Sequence, residues 1–226
     1  MATLIAEDLL LLLLDDEKGT IQTAYPQTAL GGGVLIELAL TGAVEVEERS
    51  RVWRSTKVRP VAGQEPEDPV LRTAYDLVAE KERGAQDLVE RIGKGLQKQL
   101  PERLAERGLV ERRDGGVLGL FPRTRWPAAD TTHEQAVRRA LTAALVQGAV
   151  PDERTAALIA LLSAIDKAHK VVDHEGLSAR EVKKRAKEIS EGAWAAKAVR
   201  DAINASVAAI AAATTAATVA ASSGST

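Results

Sequence analysis

Residues 29–42 read ALGGGVLIELALTG: three glycines stand ahead of a run whose only ionisable side chain is Glu37. A run this apolar, built of Leu, Ala, Val and Ile without strict alternation, predicts a helix buried on more than one side, from Val34 to Leu40, with Gly42 as its C-cap. The triplet itself has two readings. It is expected chiefly to let that helix start tightly, and secondarily Gly31 and Gly32 would offer backbone N–H groups to an anion at the positive end of the helix. It is not a nucleotide cradle. GGGVLIEL lacks the Lys-Ser/Thr ending of a P-loop, and no G-x-G-x-x-G follows a strand.

Working outward, the upstream stretch TLIAEDLLLLLLDDEKG is a second buried helix. Thr3 is placed to cap it, Glu7 and Asp8 fall in its first turn at the positive end of the dipole, and Asp15 and Asp16 terminate it. The acids flanking the leucines, and the missing basic segment ahead of them, exclude a signal peptide. Downstream, AVEVEERSRVWR alternates from Val44 as a half-exposed strand pair does, and PVAGQEPEDPV is an acidic proline-rich loop too short to force a domain boundary. From Leu71 to Leu100 a helical pattern is broken at Gly84, Gly93 and Gly95. Pro101 can then open a helix that Gly108 closes, and LVERRDGGVLGLF reads as strand, Asp-Gly-Gly turn, strand. Two capping boxes, Thr131-x-x-Glu134 and Ser178-x-x-Glu181, start helices in the last third, and Pro151-Asp152 opens another, rich in Leu and Ile.

Composition agrees. The chain has 226 residues, 3% aromatics and no cysteine, so a core of aliphatic side chains carries its stability, without disulfides or thiolate metal sites. The predicted fold is mainly α: a core helix bundle surrounded by amphipathic helices, with short β-hairpins, one projecting around residues 109–121. One domain is expected over residues 1–208, followed by an Ala/Thr/Ser-rich tail, 209–226, as frayed helix or disordered chain. The uncharged stretch after Asp201 is long enough to span a bilayer, but alanine contributes little to insertion, so docking is the expected outcome.

The net charge of −2 hides a segregation: residues 49–59 hold five basic groups and no acid, and residues 91–125 hold nine basic groups against four acids. Such asymmetry points to an anionic partner. The three histidines, His133, His169 and His174, lack metal spacing; the last two lie five apart, so they project about 140° from each other on a helix. They are expected at the surface. With no nucleophile, base and orienting group to nominate, the chain does not read as an enzyme, and no metal or cofactor is implied.

Taken in order, TLIAEDLLLLLLDDEKG, LGGGVLIELALTGAVEVE, LAERGLVERRDGGVLGLF and PDERTAALIALLSAIDKAHKVV resemble the Golgi phosphoprotein 3 domain, and the Ala- and Arg-rich usage resembles that of its bacterial members. The resemblance implies a mostly helical fold with a projecting hairpin. It also implies a cytoplasmic peripheral protein on the inner face of a membrane, binding phosphatidylinositol 4-phosphate or another anionic phospholipid and serving as an adaptor for protein clients. At the positions matching the family's headgroup pocket stand Gln22, Gly31, Lys94 and Gln97. Only Lys94 is cationic. With Arg91 and Lys98 at i−3 and i+4 it would form one basic helix stripe, joined by the backbone of Gly31 and Gly32. The hairpin residues Val117, Leu118, Leu120 and Phe121 would enter the membrane interface or join two copies as a homo-oligomer. A competing reading takes PERLAERGLVERRDGGVLGLFPRTRWP as a winged helix with Arg112, Arg113, Arg123 and Arg125 facing nucleic acid; the near-neutral total charge speaks against it.

Overall fold

A computed structural model of the chain describes residues 2–47, 57–115, 123–192 and 197–223. Its centre is helix α2, Pro26–Leu40, every residue of which from Thr28 to Ala39 is buried. The helix begins eight residues before Val34, so the glycine triplet is not its start but its second turn. Successive residues of a helix point about 100° apart, and each glycine meets a different neighbour. A Cβ at Gly31 would lie 2.1 Å from the carbonyl oxygen of Val89 in α4 (Ala85–Ile92); one at Gly32 would meet Ser206 of α9 (Lys197–Ser223) at 3.0 Å and Leu161 of α7 (Glu153–Ala164) at 3.2 Å; one at Gly33 would meet Ala6 of α1 (Ile5–Leu13) at 3.1 Å. Without side chains at these three places the four helices close on α2 from three directions, and the bundle follows.

Helices α1, α7 and the first half of α9 complete the inner layer. Every residue of α1 is buried, and in α7 Leu158, Ile159, Leu161 and Leu162 are all at most 2% exposed. Around them lie amphipathic helices: α3 (Pro69–Glu80), α4, α5 (Leu96–Glu106), α6 (Thr132–Leu145) and α8 (Ala179–Glu191). Their local signals are those of the sequence in several places. Asp68 caps α3 through the N–H of Val70, Asp152 caps α7 through that of Thr155, and Ser178 and Glu181 form the reciprocal box of α8.

Elsewhere the local reading is corrected. Thr3 does not cap α1: its hydroxyl meets His133, and Glu7 reaches back to the Leu4 N–H instead. Thr131 and Glu134 form no box, because Glu134 turns to Arg138 and Asp130 accepts the Thr132 N–H. Pro101 sits inside α5, which starts at Leu96, where Gly95 takes a φ of +85° that reverses the chain after α4. Helix α9 continues through the expected tail as far as Ser223, with Ala209 and Ile210 buried.

Among the described residues two small antiparallel sheets accompany the bundle. Strands β1 (Val44–Glu47), β2 (Lys57–Pro60) and β3 (Arg83–Gly84) pair in that order, with Val44 opposite Pro60 and Val46 opposite Val58, so the alternating strand pair takes its second arm from Lys57 onward. In the projecting hairpin β4 (Arg113–Gly115) pairs with β5 (Arg123–Arg125), Asp114 opposite Thr124. Asp114 and Gly115 are therefore strand, not turn, and the second arm lies beyond the one expected. The apolar residues assigned to it, Val117, Leu118, Leu120 and Phe121, lie outside the described residues. The stem is fixed to the bundle where the N–H of Trp126 reaches the Gly19 carbonyl and that of Ala128 reaches Asp16.

Candidate anion-binding site

The three cations expected on one helical stripe do not share a helix. Arg91 belongs to the last turn of α4, Lys94 to the Gly93–Gly95 turn, and Lys98 to the first turn of α5. Arg91 and Lys94 stay together where Gly93 presses on α2: a Cβ there would lie 2.1 Å from the Gln27 carbonyl oxygen, while the Gln27 side-chain amide donates to the Glu90 carbonyl at 3.0 Å. Gly31 and Gly32 thus act from inside the bundle, Gly31 letting α4 and its terminal turn approach and Gly32 letting α7 and α9 do so. Their N–H groups are buried within α2 and not at its amino end, which corrects their expected role as direct donors.

Arg91 and Lys94 line a hollow of about 100 Å³ between α3 and the α4–α5 turn, together with Thr73 and Gln99. Arg91 is half-exposed and its Nε lies 2.8 Å from Asp87 one turn earlier, a solvent-facing pair that holds the guanidinium only weakly. Lys94 and Lys98 are exposed and make no ion pair among the described residues. Gln22 and Gln97 are exposed as well, and the Gln22 amide bonds locally to the Thr20 hydroxyl. The positively polarised amino end of α2 faces the same turn.

Much of the remaining basic surplus is consumed internally. Glu7 and Asp8 are 0% and 2% exposed, and Glu37 8%. Carboxylates at such depth persist only with partners. Arg103 donates to Glu7 at 3.0 Å and to Asp68 at 2.7 Å, and Arg107 donates to Glu7 at 3.1 Å. Arg154 bridges Asp8 at 2.8 Å and Glu37 at 3.2 Å and also reaches the Thr3 carbonyl; the Ile5 N–H donates to Glu37 at 2.6 Å. His133 on α6 closes the set, its Nε2 2.7 Å from Asp8 Oδ1 and 3.0 Å from Thr3 Oγ1. The network ties α1 to α2, α3, α5, α6 and α7.

Its protonation follows from depth. Burial raises the Glu37 carboxyl above its ordinary range despite the opposing Arg154 charge, and burial likewise raises Glu134 against Arg138. For Asp68 burial acts upward too, but the Arg103 hydrogen bond and the α3 cap N–H groups outweigh it and hold the carboxyl low. The histidines are less superficial than expected. His133 enters the network, and His169 lies in a 3-10 turn (Ala168–Lys170) with its Nδ1 buried and unbonded, burial and the nearby Lys183 charge lowering its basicity. Sequence reasoning took Glu7 and Asp8 as dipole partners only. The available signal was two acids inside a helix otherwise entirely apolar.

The winged-helix reading requires α5 to present its arginines outward, but Arg103 and Arg107 turn inward to Glu7. On the stem, Arg112 pairs with Asp114 and stands 5.9 Å over the Trp126 ring, while Arg113 pairs with Glu111. Among the described residues no helix is long and apolar enough to cross a membrane. The family model described as Golgi phosphoprotein 3 (GPP34) matches residues 5–206 of the chain. No curated protein matches it.

Proposed function

The chain belongs to the Golgi phosphoprotein 3 family, and from that premise we propose that it is a peripheral membrane protein holding anionic lipid headgroups against the Gly93–Gly95 turn. The observation that carries this reading is the exposure of Lys94 and Lys98, without carboxylate partners among the described residues, beside Arg91 and the amino end of α2. Lysine is a point charge and lacks the bidentate fork of arginine, so binding follows surface charge density more than the position of one phosphate. Phosphatidylinositol 4-phosphate, the ligand that the family resemblance suggests, is then one anionic lipid among several. In this reading the protein works by binding, on the cytoplasmic face of a membrane, and offers its remaining surface to protein clients. It performs no reaction.

Co-sedimentation with phosphatidylcholine vesicles, alone or containing phosphatidylserine or phosphatidylinositol 4-phosphate, tests the proposal at low and high salt. Each surface cation contributes about 1 kcal/mol. Lys94→Ala/Lys98→Ala should therefore lower partitioning onto anionic vesicles by roughly 30-fold. Absence of binding to either anionic vesicle at low salt would overturn the reading.

A further inference from the structure

Between α6 and the segment 170–175 runs a groove of about 730 Å³, within the range of about 300–1,000 Å³ usual for ligand sites. Its two walls are joined at both ends. At one, the Arg138 guanidinium donates to the Val171 carbonyl at 2.8 Å; at the other, the Gln147 amide donates to the Glu175 carboxylate at 3.3 Å. Nine residues separate Arg138 from Gln147, about 13 Å at the helical rise of 1.5 Å per residue. Charge is divided along this length. Arg139 and Lys170 adjoin the first joint, while Asp173 and Glu175 lie toward the second, where the negatively polarised carboxyl end of α6 adds to them. All four are exposed, and among the described residues no ion pair joins either cation to either acid. Arg138 itself is taken up by Glu134 at 2.7 Å, but the Arg139 and Lys170 side chains make no hydrogen bond among the described residues. Asp173 accepts only the Glu175 N–H, at 3.2 Å. Between the two ends the lining is apolar, with Ala143, Val171 and Val172.

The occupant must therefore carry both signs of charge, well apart, with something apolar between them. A nucleic acid or an anionic lipid headgroup brings one sign only and would set it against Asp173 and Glu175. A free amino acid has both, but too close together to reach the two ends. An extended peptide meets the requirement, because its residues i, i+2 and i+4 face one side and the outer two lie about 13 Å apart. From this match of charge and length we infer that the groove binds an extended segment of a partner protein. An acidic side chain of the segment meets Arg139 and Lys170, a basic one four residues away meets Asp173 and Glu175, and an apolar one between them packs on Ala143, Val171 and Val172. The groove shares no residue with the headgroup edge, so peptide binding here stands or falls apart from membrane binding.

Fluorescence anisotropy of dye-labelled peptides with the full chain tests the inference. The probe is acetyl-Glu-Ser-Val-Ser-Lys-amide, and its three controls carry Glu at both ends, Lys at both ends or Gln at both ends. The probe should bind saturably, and each control about fivefold more weakly or worse, the loss of one exposed ion pair or more. Arg139→Glu/Lys170→Glu makes both ends of the groove acidic and should transfer the preference to the peptide with Lys at both ends, a gain that loss of folding cannot mimic. Lys94→Ala/Lys98→Ala should leave the ranking of the peptides unchanged while reducing vesicle binding. Tightest binding of the peptide with Glu at both ends would indicate an anionic partner and overturn the inference. So would equal binding of all four, absence of saturable binding, or an unchanged preference in the charge-reversed variant.

Discussion

Glu37 is the lone ionisable side chain of ALGGGVLIELALTG, and its position defines the chemistry of the core. Buried among aliphatic residues, it accepts the Ile5 N–H and the Arg154 guanidinium. Removing the guanidinium strands both Glu37 and Asp8, so Arg154→Met should cost about 3–5 kcal/mol in urea unfolding. Arg154→Met/Glu37→Gln should recover part of that loss, since one of the stranded charges is gone. The two kinds of carboxyl also leave opposite marks on stability against pH. Glu37 holds its proton more tightly when folded, so its contribution declines as pH rises from its ordinary value of 4.5 through the raised folded value. Asp68 holds its proton less tightly when folded, so its contribution is present above its ordinary value of 3.8 and is lost as pH falls through the lowered folded value. In unfolding free energies measured from pH 3 to 7, Glu37→Gln should remove a decline above 4.5, and Asp68→Asn should flatten the loss below 3.8.

At the scale of elements, the glycine triplet is a helix-crossing device. The apolar run correctly announced a buried helix ending at Leu40, although the C-cap is Thr41 and Gly42 follows it at a φ of +73°; the start was misplaced because glycines commonly interrupt helices. Here burial on every side repays the weaker propensity, which costs about 1 kcal/mol per residue relative to alanine. The three positions should respond differently. Gly31→Ala drives a methyl into the Val89 carbonyl and the Gly93 backbone, neither of which can turn aside. A loss of about 3 kcal/mol or more is expected. Gly32→Ala meets only the Ser206 and Leu161 side chains at 3.0 and 3.2 Å, so gained propensity should offset crowding and leave stability within about 1 kcal/mol of wild type. Denaturant midpoints of the two variants check the order. The misreading of the basic stripe has a related cause: heptad-like spacing of Arg91, Lys94 and Lys98 implies one face only if the helix is continuous. Gly95 breaks it with a backbone conformation that the spacing alone does not encode.

Across the whole molecule, charge segregation along the chain proves to be two different things in space. Arg103 and Arg107 are paired with an acid 96 and 100 residues earlier in the chain, and Arg154 with one 146 residues earlier. Lys94 and Lys98 at the α4–α5 turn, by contrast, are exposed and make no ion pair among the described residues. Attraction carried by exposed lysines is screened over a Debye length, about 10 Å at 0.1 M salt and 3 Å at 1 M, so vesicle binding should fall steeply across that range while the buried network keeps unfolding stability nearly constant. Urea curves at both salts, beside the sedimentation series, check the contrast. What the sequence by itself determined is whatever adjacent residues settle: the breaks at Gly84, Gly93 and Gly95, the caps at Asp152 and Ser178, the burial of α1, α2 and α7, and the family. What only the tertiary structure decided is which charges face inward, where α2 really begins, and that residues of α1, α6 and α7 line a common cavity. The physical reason is one of range. Caps and periodicities act over a few residues of the same chain segment, whereas desolvation and ion pairing depend on which distant segment closes over a group.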